Sequence, residues 1–139
     1  MILISKNTGN QTDIFRKNRN ELKNMHVNVD YDKVKPGMCG TMHVGSDSYA
    51  MVVVNRLTPK SILVSHLKDE DLERTEFDEN DVEVLPDKYL VYYKATIGYH
   101  APKKFKFRKN GRWIEEGSSL HGTGGLHIGR AENYRDPSF

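Results

Sequence analysis

The sequence lacks the features that mark secreted and membrane-bound proteins. Its one cysteine, Cys39, excludes a disulfide within the chain, and such sparse cysteine usage is typical of a reducing cytoplasm. No stretch approaches the roughly 20 apolar residues of a membrane-spanning helix, and no apolar run near the N-terminus is long enough for a signal peptide. We therefore expect a soluble cytoplasmic protein with no membrane partner.

A strong excess of charge of one sign is also missing. The chain has 21 Lys and Arg residues against 19 Asp and Glu residues, which gives a net charge of +2 at pH 7. A protein that coats nucleic acid needs a wide positive surface, so this balance makes such a partner unexpected while leaving room for local patches. With 139 residues, 37% of them apolar, the chain is long enough for one domain with a modest core.

Motifs for metal binding and covalent catalysis are absent as well. None of the six histidines lies four residues from another, and the group that comes nearest to a ligand set, His100, His121 and His127 with Asp136, is interrupted by a glycine-rich segment. Cys39 lies at a predicted strand start, where a small core residue is the favoured interpretation. We predict no metal, no cofactor and no enzymatic activity.

The glycine-rich segment 117–129 has the composition of a phosphate-binding loop without its pattern. It contains neither GxGxxG nor a Walker sequence, and no strand and helix flank it in the required order. A mobile loop is the favoured interpretation. The alternative is a phosphate nest built from backbone amides with Ser118, Ser119 and Thr123.

What the sequence does contain is a strong hairpin signal. Phe105 and Phe107 alternate with cationic residues, which predicts a strand with one buried and one charged face. Asn110 and Gly111 tolerate positive φ angles, so they predict a two-residue turn, and Trp113 begins the returning strand. The basic run 103–112 therefore interleaves with aromatic residues, a combination that suits phosphates and stacked bases unless it is simply a solvated strand face.

Other alternating or β-branched segments complete a mainly β prediction. Residues 69–87 are strongly acidic and predict a solvated loop. Residues 1–26 predict an N-terminal arm, which is either disordered or an exchanged helix that packs on a neighbouring subunit. The predicted strands are residues 27–29, 41–44, 49–54, 61–67, 82–84 and 89–93. We expect residues 27–139 to form one small antiparallel barrel or sandwich of the Src-homology-3-like type.

Three sets of residues resemble the pattern of a widespread family of small bacteriophage proteins. That pattern has a Ser-Asp pair before a valine-rich strand, an Arg-Lys-Asn-Gly hairpin followed by an aromatic residue, and a Tyr-x-Asp-x-Ser-Phe ending. Here the chain reads GSDSYAMVVVNRLTPKSILV, RKNGRWIEEG, LHIGR and YRDPSF, so the resemblance covers residues 36–139 and omits the arm. The terminal Asp136 and Phe139 are expected to anchor the chain end.

The resemblance implies a member of the anti-CBASS sponges, phage proteins that sequester the cyclic dinucleotide signal of a bacterial defence system. It implies a homo-oligomer, specifically a homotetramer, that acts in the host cytoplasm and binds 3′,3′-cGAMP or a relative without cleaving it. The acidic segment 69–87 is longer than the central segment expected for this family. The resemblance therefore does not fix which bases the ligand carries. Two alternatives from other classes are a small β-barrel that binds DNA or RNA and a phage protein with a structural role only.

A cyclic dinucleotide offers bases for stacking and phosphates for cationic contacts, and eight residues are candidates for binding it. Each has a second interpretation, which is core packing for Tyr49, Trp113 and Tyr134, solvated surface for the arginines and turn capping for the Ser-Asp pair. The candidates are Tyr49, Trp113 and Tyr134 for stacking, Arg108, Arg112 and Arg130 for phosphate, and Ser46 and Asp47 for a base edge.

Overall fold

A computed structural model describes residues 27–117, 125–135 and 137 of the chain. Six antiparallel strands close into a barrel in the order β1-β2-β3-β6-β7-β8, and β4 and β5 form a separate two-stranded sheet. The elements are β1 Cys39–Val44, β2 Asp47–Thr58, β3 Ser61–His66, α1 Asp69–Leu72, β4 Glu76–Phe77, β5 Glu83–Val84, α2 Asp87–Ala95, β6 Lys103–Phe107, β7 Trp113–Glu115 and β8 Leu126–Ile128, with 3₁₀ turns at Tyr31–Lys33 and Gly98–His100. The predicted mainly β class and antiparallel barrel are confirmed, whereas the N-terminal arm lies outside the described residues.

The long strand β2 has apolar residues on both faces because each face meets a core. Met51 and Val53 point into the barrel, where they join the apolar cluster of its interior. Val52 and Val54 point outward and pack in a second apolar cluster with residues of helix α2. The nearly continuous apolar run at 49–54 therefore marks a strand buried on both sides, as predicted.

Helix α2 occupies the segment that was predicted to be a strand at 89–93. That prediction is wrong. Leu90 and Tyr93, three residues apart, are buried against the outer face of the barrel, while Val91 and Tyr92 are 55% and 69% exposed. Buried residues that are three positions apart are typical of a helix. The sequence does not show this period, because nearly every residue of the run is apolar or aromatic.

The acidic segment 69–87 also differs from its prediction as a solvated loop. It contains α1, β4, β5 and the start of α2, and two of its carboxylates are buried, those of Asp71 and Glu83. One carboxylate oxygen of Glu83 accepts a hydrogen bond from the Thr75 hydroxyl at 2.5 Å, and the other accepts from the Ala131 amide at 2.9 Å. These partners replace water around the charge, so the segment is part of the packed structure.

The hairpin between β6 and β7 is confirmed, but its turn is one residue longer than predicted. The Arg108 amide donates to the Arg112 carbonyl at 2.8 Å, and the Gly111 amide donates to the Arg108 carbonyl at 2.9 Å. Gly111 has a φ of +82°, whereas Asn110 keeps a negative φ and accepts the Arg112 amide on its side chain. A three-residue turn that ends in a left-handed glycine needs only one residue with positive φ.

The barrel closes where β1 pairs with β8, through residues 40–42 against 126–128. Val29 donates its amide to the Ile128 carbonyl at 3.0 Å beside this seam, yet residues 27–29 form no strand, so that prediction is wrong. A single backbone hydrogen bond does not make a ladder. Within the described part of the chain, no helix is long and apolar enough to cross a membrane.

Candidate functional site

One end of the barrel carries polar side chains on its inner face, and we call this end the barrel mouth. The inward positions of β3 run from Ile62 and Val64 to His66, so the strand changes from apolar to polar where it reaches this end. Val64 pairs with Lys103, which places Lys103 at the same end of β6. Glu115 reaches it from β7 through its pairing with Phe105.

The barrel mouth opens into a cavity of about 510 Å³. Its floor is the top of the barrel core and consists of Met42, Met51, Val64 and Phe105. Polar groups surround this floor, including the residues of the mouth and the turn that follows α2. The polar lining residues are Ser65, His66, Lys68, Thr96, His100, Lys103 and Glu115. An apolar floor with a few converging polar groups is the usual make-up of a small-molecule site.

A second, more open cleft of about 790 Å³ adjoins this cavity. The two share one wall, residues His66, Leu67 and Lys68, where β3 ends and the chain turns into α1. The far side of the cleft is formed by Tyr49 at the start of β2 and by the C-terminal segment. The remaining lining residues are Asp69, Glu70, Asn133, Tyr134 and Arg135.

The C-terminal segment is held against β2 by backbone and side-chain hydrogen bonds. Ser48 and Tyr134 exchange two backbone hydrogen bonds of 2.8 Å, which makes an isolated antiparallel bridge. The Asn133 side chain accepts the Ala50 amide at 2.9 Å and donates to a carboxylate oxygen of Asp69 at 3.1 Å. This segment therefore forms a fixed wall of the cleft.

The ring of Tyr49 contacts two other planar side chains at the cleft, Arg135 over its face and His66 edge-on. The guanidinium carbon of Arg135 lies 4.0 Å from the centre of the Tyr49 ring, and the His66 ring meets the Tyr49 ring edge-on with centroids 5.6 Å apart. Partial burial and then the positive charge of Arg135 lower the pKa of His66, while Glu115 opposes this shift and His100 adds to it. The imidazole is therefore neutral at pH 7 and offers one donor and one acceptor nitrogen.

Of the eight sequence-predicted site residues, the structure places two in the lining of the cleft and two close to it in the chain. Tyr49 and Tyr134 line the same cleft, and Tyr134 is 47% exposed. Ser46 lies in the exposed turn before β2, and Asp47 is the first residue of that strand, next to the bridge between Ser48 and Tyr134. Tyr49 and Tyr134 share the cleft because the start of β2 is bridged to the C-terminal segment, whereas Ser46 and Asp47 do not line it.

The other four predicted residues lie elsewhere. Arg108 and Arg112 are exposed at the turn between β6 and β7, at the end of the barrel opposite the mouth. Trp113 is 3% exposed and packs edge-on against Phe107 in the barrel core, with ring centroids 5.1 Å apart. The structure thus places Trp113 in the core position that was its second interpretation, because its strand position points inward.

Arg130 is also buried rather than presented to a ligand. Its guanidinium donates to the carbonyls of Asp81 and Gly129 and lies 5.2 Å from the centre of the Phe77 ring. Burial lowers its pKa, and the negative charge of Glu83 nearby counteracts that effect. The geometry gives this arginine a structural role beside the small sheet of β4 and β5, away from the mouth.

Sequence reasoning missed Arg135, His66 and Lys103 as site residues. His66 and Lys103 each continue the period-two inward face of a strand, after Val64 and before Phe105, so alternation carried a signal for both. Arg135 had no such signal, since its place depends on the bridge that fixes the C-terminal segment. Among the described residues no three His, Cys, Asp or Glu side chains are close enough to hold a metal ion.

Other sequence candidates fall outside the described residues. They are Ser118, Ser119 and Thr123 of the proposed nest, His121, Asp136 and the terminal Phe139. No protein-family model, curated protein or solved structure matches the chain. Fold and site together define the class: a small antiparallel barrel with a cavity at one open end and an adjoining cleft.

Proposed function

We propose that this protein is a non-enzymatic sponge that sequesters a cyclic dinucleotide immune signal, such as 3′,3′-cGAMP, at the barrel mouth. The observation that carries the proposal is the shared wall of His66, Leu67 and Lys68 between the cavity and the cleft. A cyclic dinucleotide is a compact ring with two bases and two phosphates. Two adjoining compartments with polar groups between them are complementary to that shape.

The polar groups at the mouth suit a phosphate. Lys103 is exposed at the rim of the cavity, above the apolar side chain of Phe105. A phosphate oxygen accepts a charge-assisted hydrogen bond from such an ammonium group, and a base can lie on the apolar floor beneath it. His66 and His100 supply further hydrogen-bonding nitrogens along the same rim.

The charges around the site favour a small ligand over a nucleic acid. Glu115, Asp69 and Glu70 lie among the lining residues and would repel a long polyanion. On the outer face of β6, Lys104 and Lys106 are both paired with Glu116, at 3.3 and 3.4 Å. The strand that carries half of the basic residues of the run therefore presents partly neutralised charge.

The proposal includes a homo-oligomer, a tetramer in its specific form. The cleft is open to solvent, and a ligand whose sugar-phosphate ring has two-fold symmetry suits a site shared by two copies of one chain. A phage protein with this activity would act in the host cytoplasm, where the defence signal is made.

The test compares two neighbouring lysines on opposite faces of β6. Lys103→Ala removes the cation at the mouth, whereas Lys104→Ala removes one from the outer face. We expect 3′,3′-cGAMP to raise the melting temperature of the wild-type protein. In calorimetric titration we expect Lys103→Ala to weaken binding by about tenfold or more, since hydrogen bonds to charged groups contribute about 1.5–3 kcal/mol, and Lys104→Ala to bind as the wild type does.

Three outcomes would overturn the proposal. Linear or mononucleotide products, recovered after heating the complex, would show an enzyme. Tighter binding to oligonucleotides, with an affinity that falls steeply as salt rises, would show a nucleic-acid-binding barrel. A melting temperature that no cyclic di- or trinucleotide changes would leave only a structural role.

A further inference from the structure

Arg135 is held in the cleft in a fixed orientation. Its guanidinium lies 4.0 Å from the Tyr49 ring, and one of its nitrogens donates to the carbonyls of Ser48 and Tyr134 at 3.0 and 3.3 Å. The residue as a whole is exposed at the cleft. The planar cation therefore has one face on an aromatic ring and is constrained before any ligand arrives.

The backbone beneath Arg135 is equally constrained. The paired hydrogen bonds between Ser48 and Tyr134 fix the residue that precedes it, and Asn133 fixes the segment to β2 and α1. A side chain that is already ordered loses little conformational entropy when a ligand binds. Such a group can contribute to affinity more than a freely rotating surface arginine.

The chemistry of a constrained guanidinium on a tyrosine ring is stacking. The group is planar and weakly hydrated, and nucleobases in protein complexes stack on arginine planes as they do on aromatic rings. With Tyr49 on one side, the other side of the Arg135 guanidinium can accept a base, which would lie in a stack with the guanidinium and the tyrosine ring.

The neighbouring charges decide between a base and a phosphate at this position. Asp69 and Glu70 line the same cleft as Arg135. These two carboxylates offset the cations Lys68 and Arg135 of the cleft, whereas the cavity has Lys68 and Lys103 against Glu115 alone, so the cleft attracts a phosphate less and affects an uncharged base little. The phosphate is therefore better placed at the rim of the cavity, near Lys103.

Building on the proposed function, we infer that Arg135 is the base-stacking surface of the site and that the ligand presents a purine to it. A purine has two fused rings and covers a guanidinium more fully than a pyrimidine does. The ligand is then a nucleotide with at least one adenine or guanine, which is a narrower class than the shape of the cavity alone indicates.

The experiment tests whether ligand binding depends on the planar shape of the Arg135 guanidinium or only on its positive charge. Arg135→Lys keeps the positive charge and removes the plane, and Arg108→Lys makes the same change at the exposed turn far from the mouth. Binding of AMP, GMP, CMP and UMP at millimolar concentration is measured by NMR for the wild type and both variants. Circular dichroism and the melting temperature without ligand check that each variant is folded.

We expect the wild type and Arg108→Lys to bind the purine nucleotides about tenfold more tightly than the pyrimidine nucleotides. In Arg135→Lys this ratio should fall close to one, and a merely structural role of Arg135 would not change the ratio. The same comparison is then made with 3′,3′-cGAMP and cyclic di-UMP.

The outcomes distinguish this inference from the proposed function. A purine preference that persists in Arg135→Lys, or no purine preference in the wild type, overturns the inference even if 3′,3′-cGAMP binds. Purine mononucleotides that bind through Arg135 while 3′,3′-cGAMP does not bind support the stacking role and refute the sponge.

Discussion

The hydroxyl of Tyr93 joins helix α2 to the acidic segment that precedes it. It donates to a carboxylate oxygen of Asp71 at 2.5 Å and accepts the Lys68 amide at 3.0 Å. Burial and the hydrogen bond to Asp71 raise the pKa of Tyr93 far above the usual tyrosine range. The phenol therefore keeps its proton at all pH values at which the protein is handled, and it satisfies a buried carboxylate.

Tyr93→Phe should lower the free energy of unfolding by about 1–3 kcal/mol, because Asp71 loses a donor while it stays buried. Arg74, which contacts the other oxygen of Asp71 at 3.0 Å, keeps the loss within that range. Urea denaturation measures the change. The matched control is Tyr92→Phe on the same helix, whose side chain is 69% exposed and whose substitution should change stability by less than about 0.5 kcal/mol. Equal effects of the two substitutions would contradict the role of the hydroxyl.

His66 makes the stability of the molecule depend on pH. Its pKa in the folded protein is lowered, chiefly by partial burial and by Arg135, so the folded state binds fewer protons than the unfolded state near pH 6.5. Stability therefore rises as pH increases from the lowered pKa of the folded state to 6.5, the value for an exposed histidine, and is lost as pH falls through this range. Urea denaturation across pH 5 to 8 should show this slope.

The control for the pH dependence is His66→Gln, which keeps a polar side chain that does not titrate. The slope near pH 6 should be smaller in this variant. An NMR titration of the His66 ring gives an independent check, and a ring that titrates at or above 6.5 would contradict the assignment.

At the scale of elements, the closure of the barrel depends on a close approach between β1 and β8. Gly40 pairs with Ile128 in this seam, and a Cβ atom built on Gly40 would lie 2.4 Å from the carbonyl oxygen of His127. That contact is with the backbone of the opposite strand, which cannot move without opening the ladder. The glycine is therefore required by space rather than by its φ angle.

Gly40→Ala should destabilise the protein by at least about 1–3 kcal/mol, because the added methyl group overpacks the seam. Denaturation gives the total effect, and hydrogen exchange of the β8 amides should show that the loss occurs where the barrel closes. His127→Ala is the control, since it shortens an exposed side chain in the same seam without adding an atom to it. A Gly40→Ala protein with wild-type exchange rates in β8 would refute this explanation.

The sequence predicted correctly those strands in which each face has the same kind of surroundings along its length. The β-branched run at 49–54 and the alternation at 105–107 are strands in the structure, since each face of each strand has a consistent neighbour. The segment at 89–93 failed because its tyrosines occupy both the buried and the exposed side of a helix. The acidic segment failed because two of its carboxylates accept hydrogen bonds from residues outside the segment, Glu83 from Ala131 and Asp71 from Tyr93.

At the scale of the whole molecule, the candidate site is assembled from separate segments. Tyr49, His66 and Arg135 come from the start of β2, the end of β3 and the C-terminal segment, yet Tyr49 contacts both of the others. The barrel mouth combines inward positions of β3, β6 and β7. A basic run that is continuous in sequence is instead divided, with Lys103 at the mouth and Arg112 at the opposite end.

The sequence by itself determined the chain's β character and the hairpin of β6 and β7, because these properties reside in local spacing and residue type. Only the tertiary structure decided which aromatic and cationic side chains share a cavity. Closing a sheet into a barrel turns alternate residues inward and gathers the ends of distant strands at one opening. For that reason Trp113 lies in the barrel core, and the guanidinium of Arg135 lies exposed beside the Tyr49 ring.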